Sequence, residues 1–190
     1  MKISALPQHF QLFPHSELPD AKSRALDNIG RVFARVGKFQ QAIDTWEEKI
    51  PLAKTSLEKT WLFHEIGRCY LELNRPWEAQ EYGEKSQACA EEEGDVEWQL
   101  NASVLVAQAQ VKLKDYEAAV SNFEKALERA KLVHNDEAQN AIISVSLPLL
   151  LLTSRKGKKG VPADQPCIFP LPLFLHSYFL AHSRNLINAC

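Results

Sequence analysis

The 190-residue chain contains no G-x-S-x-G elbow, no P-loop, no G-x-G-x-x-G turn and no HExxH helix. It therefore lacks the arrangements that present a nucleophile, cradle a phosphate or hold a catalytic zinc. Its four cysteines, Cys69, Cys89, Cys167 and Cys190, form no C-x-x-C pair and no Cys/His cluster at zinc spacing, which leaves reduced thiols. His64 and His134 stand isolated, and the run Glu91-Glu92-Glu93 reads as a solvated helix end. Neither an enzyme nor a metal or cofactor site is expected. Basic residues are not in excess, with 22 Lys and Arg against 24 Asp and Glu and a net charge of −2. No global field draws the chain to nucleic acid or anionic lipid. The first seven residues, Met1 to Pro7, lack the continuous apolar stretch of a secretory signal, so a cytoplasmic protein is expected.

Proline is absent from residues 77 to 147, whereas five of the ten prolines fall from Pro148 onward. Helix can run freely in the first region and is repeatedly interrupted in the second. Residues 148–190 also carry five basic residues against one acidic, a balance of +4. They are expected to form an irregular basic and apolar tail with its boundary near Pro148. Residues 167–180 are strongly apolar but broken by Pro170, Pro172 and His176. A membrane-spanning helix needs about 20 residues, so no span is expected.

What is present is a repeat. Ala42, Ala79 and Ala119 lie in matching contexts 37 and 40 residues apart. About twelve residues upstream of each stands another small residue, Gly30, Gly67 or Ala107. Leu26, Ile29, Gly30 and Phe33 fall at offsets 0, 3, 4 and 7, and Phe63, Ile66, Gly67 and Tyr70 repeat them; each set is one stripe of a helix. The small residues mark the close approach of two antiparallel helices, and Gly37 and Asn74 occupy the turns, where a left-handed backbone suits them. Trp46, Trp61, Trp77 and Trp98 are assigned to core and inter-helix contacts.

The pattern resembles the tetratricopeptide repeat, W-x2-L-G-x2-Y followed by A-x3-F. Leu26-x2-Ile29-Gly30-x2-Phe33 with Ala42-x3-Trp46 matches well. Phe63-x2-Ile66-Gly67-x2-Tyr70 with Ala79-x3-Gly83 matches less well, and Ser103-x2-Val106-Ala107-x2-Gln110 with Ala119-x3-Phe123 starts weakly and ends strongly. The usual period is about 34 residues and ends in proline, but Lys54, Glu91 and Lys131 stand at the closing positions, so longer helices are expected. Gly94-Asp95 and Asn135-Asp136 mark later boundaries, with the aspartates as N-caps and Gln139 completing a capping box with Asp136. The resulting expectation is an all-α solenoid with a divergent segment 1–17 and an array over 18–147. Its units cover about 23–56, 60–93 and 100–133, followed by a capping helix 136–147 and the tail 148–190.

Repeats of this kind stack and bind proteins through a concave wall formed by their first helices. Helical phase assigns to that wall Arg24, Asp27, Asn28, Arg31 and Arg35, then Trp61, His64, Glu65 and Arg68, then Asn101, Val104, Gln108 and Lys112. Residues 21–147 are net acidic, so the four arginines suggest a groove selecting acidic side chains or a helical peptide. The alternative is a solvated charged face. Asp27 and Arg31 stand where chaperone-binding relatives begin a carboxylate clamp, which argues against that clamp.

Residues 18–33, with Glu65-Ile66-Gly67-Arg68-Cys69-Tyr70 and Phe123-Glu124-Lys125-Ala126-Leu127-Glu128-Arg129-Ala130, are similar to the tetratricopeptide docking subunits of ciliary outer dynein arms, a resemblance over about residues 18–144. It implies a non-catalytic scaffold at the axoneme. Its partners would be coiled-coil docking subunits and, indirectly, outer arm dynein and doublet microtubules, with neither nucleic acid nor membrane. A generic cytosolic adaptor in polarity or trafficking complexes is the competing expectation. The divergent ends suggest an alternatively spliced, truncated product. Its exposed end helices would make it weakly stable, with Phe10, Leu12 and Phe13 or the apolar run 142–152 folding back as caps.

Overall fold

A computed structural model describes residues 18–156. Seven α-helices follow one another: α1 (Leu18–Arg35), α2 (Phe39–Lys49), α3 (Ser56–Glu72), α4 (Pro76–Glu93), α5 (Val96–Lys112), α6 (Tyr116–Leu132) and α7 (Asp136–Lys156). A single 3-10 turn, Ile50–Leu52, extends α2, and there is no strand among the described residues. Each helix packs mainly on its neighbours in sequence, and α3 also touches α5. That is the all-α stack of helical hairpins the repeat implies. The apolar segment 167–180 and Phe10, Leu12 and Phe13 lie outside the described residues. Among those described, no helix is long and apolar enough to cross a membrane.

Five of the six junctions close in one way. At the first, the Lys38 N–H reaches the Phe33 carbonyl (2.9 Å) and the Gly37 N–H reaches Ala34 (3.2 Å). The same pair of bonds recurs at Asn74–Arg75, Gly94–Asp95, Lys114–Asp115 and His134–Asn135. This Schellman closure needs a left-handed residue, and Gly37, Asn74, Gly94, Lys114 and His134 all have positive φ, from 53° to 78°. Glycine and asparagine made three of these positions visible in the sequence, while Lys114 and His134 gave no signal. Three of the helices that follow start from side-chain caps: Asp95 accepts from Trp98 N–H (3.0 Å), Asp115 from Ala118 N–H (3.2 Å) and Asn135 from Ala138 N–H (2.9 Å), whereas α2 and α4 have none. Asn135, rather than the expected Asp136, is thus the N-cap of α7, and Asp136 instead accepts from the Gln139 side chain (3.1 Å).

The small residues lie at the contacts. A Cβ on Gly67 would come within 3.3 Å of the Ala79 carbonyl oxygen and 2.9 Å of Leu105. Gly30 faces Trp46 of α2 rather than Ala42. Gly83, standing where the other units have Trp46 and Phe123, leaves room for Val106 and Leu105 of α5. The weak start of the third unit has a physical cause as well. Ser103 and Gln110 are buried polar residues with partners on α6: Arg129 donates to the Ser103 hydroxyl (3.1 Å), and the Asn122 amide to Gln110 (2.9 Å). Residues 100–107 of α5 are all buried because α3, α4 and α6 surround it.

Two expectations need correction. The array does not stop at 147, because α7 runs through Pro148 to Lys156. Proline removes one donor, to the Ser144 carbonyl, but Ile142, Val145 and Leu149 anchor both sides of it in the core with α6. The 142–152 run is therefore part of that helix rather than a separate folded-back cap. Trp77 is not core: it is 71% exposed, at a position held by Gln40 and Glu117 in the flanking units.

Candidate functional site

The first helices α1, α3 and α5 carry every residue assigned to the binding wall, but the stack treats them unequally. Trp61, His64, Asn101 and Val104 are buried, and Glu65, Arg68, Asp27, Arg31 and Gln108 are half-buried. Arg24, Asn28, Arg35 and Lys112 are exposed. The expectation that Trp61, His64 and Asn101 present themselves to a partner fails, because neighbouring units pack over those faces.

Two clusters absorb much of the expected basic wall. In the first, Arg31 donates to both oxygens of Asp27 (3.4 and 3.2 Å) and lies over the Trp61 ring, 4.6 Å from its centroid. Lys49 of α2, 4% exposed, joins them: its Nζ is 2.9 Å from Glu58, 3.6 Å from Asp27 and 5.5 Å from the Trp61 centroid. Burial works against ionisation of Glu58, but Lys49 and the Lys54 N–H outweigh it and lower its pKa. The Trp61 ring meets Trp46 edge-on at 5.6 Å, and among the described residues neither buried indole N–H has an acceptor. The sequence offered one hint of Lys49, its place three residues after Trp46 on the buried stripe of α2.

In the second cluster Arg68 donates to both oxygens of Glu65 (3.0 and 3.1 Å), and His64 Nδ1 lies 3.3 Å from Glu65. The His64 ring packs edge-on against Trp98 at 5.5 Å. Burial lowers the His64 pKa against the pull of Glu65 and holds the ring neutral. Burial would raise that of Glu65, yet Arg68 and His64 overcome it and bring it to about 2. Arg68 is therefore a neutralised partner. A further half-buried cation escaped the sequence pattern: Arg129 of α6 donates to Gln99 (3.1 Å) and to Ser103, and lies 3.5 Å from Glu91. It ties three helices together.

Of the assigned wall residues, Arg24, Asn28, Arg35 and Lys112 stay exposed, and the first three lie together on the outer side of α1. Arg24, Asn28 and Arg35 alternate there with Ile29 (46% exposed), Val32 (56%) and Val36 (62%). Such a mixture of arginine and apolar side chains suits a protein surface. Among the described residues no group of three His, Cys, Asp or Glu is placed to hold a metal ion.

Stacked antiparallel hairpins with small residues at their crossings form an all-α solenoid, and the sequence model of the tetratricopeptide repeat matches residues 58–132 of it. The fold is similar to the crystal structure of the Sgt2 TPR domain from Aspergillus fumigatus, with a TM-score of 0.59, 16% identity, and coverage of 83% of this chain and 98% of that one. In sequence the chain is similar to outer dynein arm-docking complex subunit 4. It is 81% identical to the Homo sapiens protein over 144 residues, covering 74% of this chain and 21% of that protein. With the Bos taurus protein the figures are 80% over 145 residues, 75% and 21%; with the Danio rerio protein they are 62% over 132 residues, 70% and 27%. The chain spans about a fifth of the length of its mammalian relatives.

Proposed function

We propose that this chain is a non-catalytic interaction scaffold that works at the ciliary axoneme within the outer dynein arm-docking complex. Its direct contacts would be coiled-coil docking subunits, and its links to outer arm dynein and doublet microtubules indirect. The observation that carries this reading is the identity of about four-fifths with mammalian docking subunits over three-quarters of the chain. The fold supports it, since a stack of hairpins offers extended surfaces for other proteins.

The contact surface we assign is the outer band of α1, with Arg24 and Arg35 pairing with acidic groups of the partner around Ile29, Val32 and Val36. Arg31 and Arg68 hold the fold through Asp27 and Glu65. The test is capture from ciliated-cell extract with the tagged full chain. Docking-complex coiled coils should be recovered by the wild type and lost with R24E/R35E at unchanged helicity. Recovery of cortical polarity proteins alone would overturn the ciliary reading. Full capture by R24E/R35E would move the contact off α1.

A further inference from the structure

α7 is apolar on two opposite sides. At 100° per residue, Ala138, Ala141, Ile142, Val145 and Leu149 share one face, which is buried against α6 and α5. Ile143, Leu147, Leu150 and Leu151 fall on the other, within a stripe about 100° wide, and are 42%, 58%, 39% and 62% exposed. A helix that is apolar all round belongs inside a structure, yet the described residues cover only one side. The α7 sequence also divides its charge by position. Asp136 and Glu137 open the helix, Arg155 and Lys156 close it, and residues 138–154 carry no charge.

We infer that the outer face of α7 binds the same face of a second copy of this chain, antiparallel, across a two-fold axis near Leu147. The arrangement is self-complementary, as such an axis requires. Asp136 and Glu137 lie about 15–17 Å along the helix from Leu147, and residues 155 and 156 about 12–14 Å in the other direction. Antiparallel pairing therefore brings the turn of Asp136 and Glu137 in one helix beside the turn of Arg155 in its partner, while four apolar side chains from each copy meet at the centre. Parallel pairing would set like charges together. The α1 face cannot pair with itself as readily, because Arg24 and Arg35 flank Ile29, Val32 and Val36. Four side chains per copy make a small interface, so the dimer should be of micromolar strength.

Sedimentation velocity on the full chain from about 5 to 200 µM tests this, with far-UV circular dichroism as the check on folding. The wild type should pass from monomer to dimer across that range, and L147E/L151E should weaken association at least tenfold at unchanged helicity. D136K/E137K should also weaken it, and adding R155E should restore part of it; this pair keeps the test valid if the leucine variants misfold. A chain that stays monomeric throughout would overturn the inference and show the face covered by the chain's own remaining residues or by solvent. Association removed by V32E/V36E but retained by L147E/L151E would overturn it in favour of α1. Charge variants without effect would overturn the antiparallel arrangement.

Discussion

A Cβ on Gly30 would collide with the indole nitrogen of Trp46. Trp46 is fully buried and held against Trp61, so it has no route of retreat. Gly30→Ala should therefore cost stability despite the better helix propensity of alanine, by about 1–2 kcal/mol net of a gain near 1 kcal/mol. At Gly67 the contacts are looser, a terminal methyl of Leu105 at 2.9 Å and the Ala79 carbonyl oxygen at 3.3 Å, and a methyl at the end of a side chain gives way more easily than an indole ring. Urea unfolding should rank G30A well below G67A, and equal values would show that Trp46 can shift.

Lys49 is enclosed by carboxylates from two helices. Lys49→Ala leaves Asp27 and Glu58 facing each other beside Trp61 without their buried cation. Loss of a fully buried ion pair costs about 3–5 kcal/mol. These carboxylates retain 21% and 28% exposure, so about 1–2 kcal/mol is expected after screening. Chemical denaturation checks it, and adding D27N should recover part of the loss.

Acid should destabilise the fold in two stages. The His64 pKa is lowered by folding, so the unfolded chain binds the extra proton and stability falls as pH drops below the ordinary value of 6.5. Glu65 is depressed from 4.5 to about 2, so its contribution is complete above pH 4.5 and lost on descending towards 2. Spread over that window it amounts to about 3 kcal/mol. Unfolding free energies at pH 8, 6, 5 and 3 should show both declines. H64F should remove the first, and a profile flat from pH 8 to 5 would exclude a buried neutral His64.

Lys114 and His134 hold the left-handed position of their turns, at φ of 63° and 53°. Glycine adopts that conformation without the Cβ clash. Lys114→Gly and His134→Gly should each raise stability by about 0.5–1 kcal/mol, whereas Asn74→Ala should lower it. Thermal melts of the three variants decide the matter.

The repeat was legible because its determinants are local and recurrent. Gly30, Gly67, Ala42 and Ala79 mark helix crossings whatever the rest of the chain does, and Gly37 and Asn74 announce turns by conformational preference alone. The binding wall was less legible. Helical phase places Trp61, His64 and Arg68 on the first-helix face, but it is silent on whether another helix covers that face or a carboxylate three or four positions away claims the charge. Lys49 and Arg129 escaped notice because their partners lie on other helices, and Pro148 misled because a proline ends a helix only where packing on both sides is too weak to hold it.

The sequence by itself determined that the chain is all-α and that its helices pair as hairpins, since these follow from short-range periodicity and residue chemistry. Only the tertiary structure decided which arginines are spent inside the stack and which remain on α1, and that the described residues leave one apolar side of α7 uncovered. Burial and ion pairing are properties of neighbours brought together across many residues, and a one-dimensional pattern does not contain them.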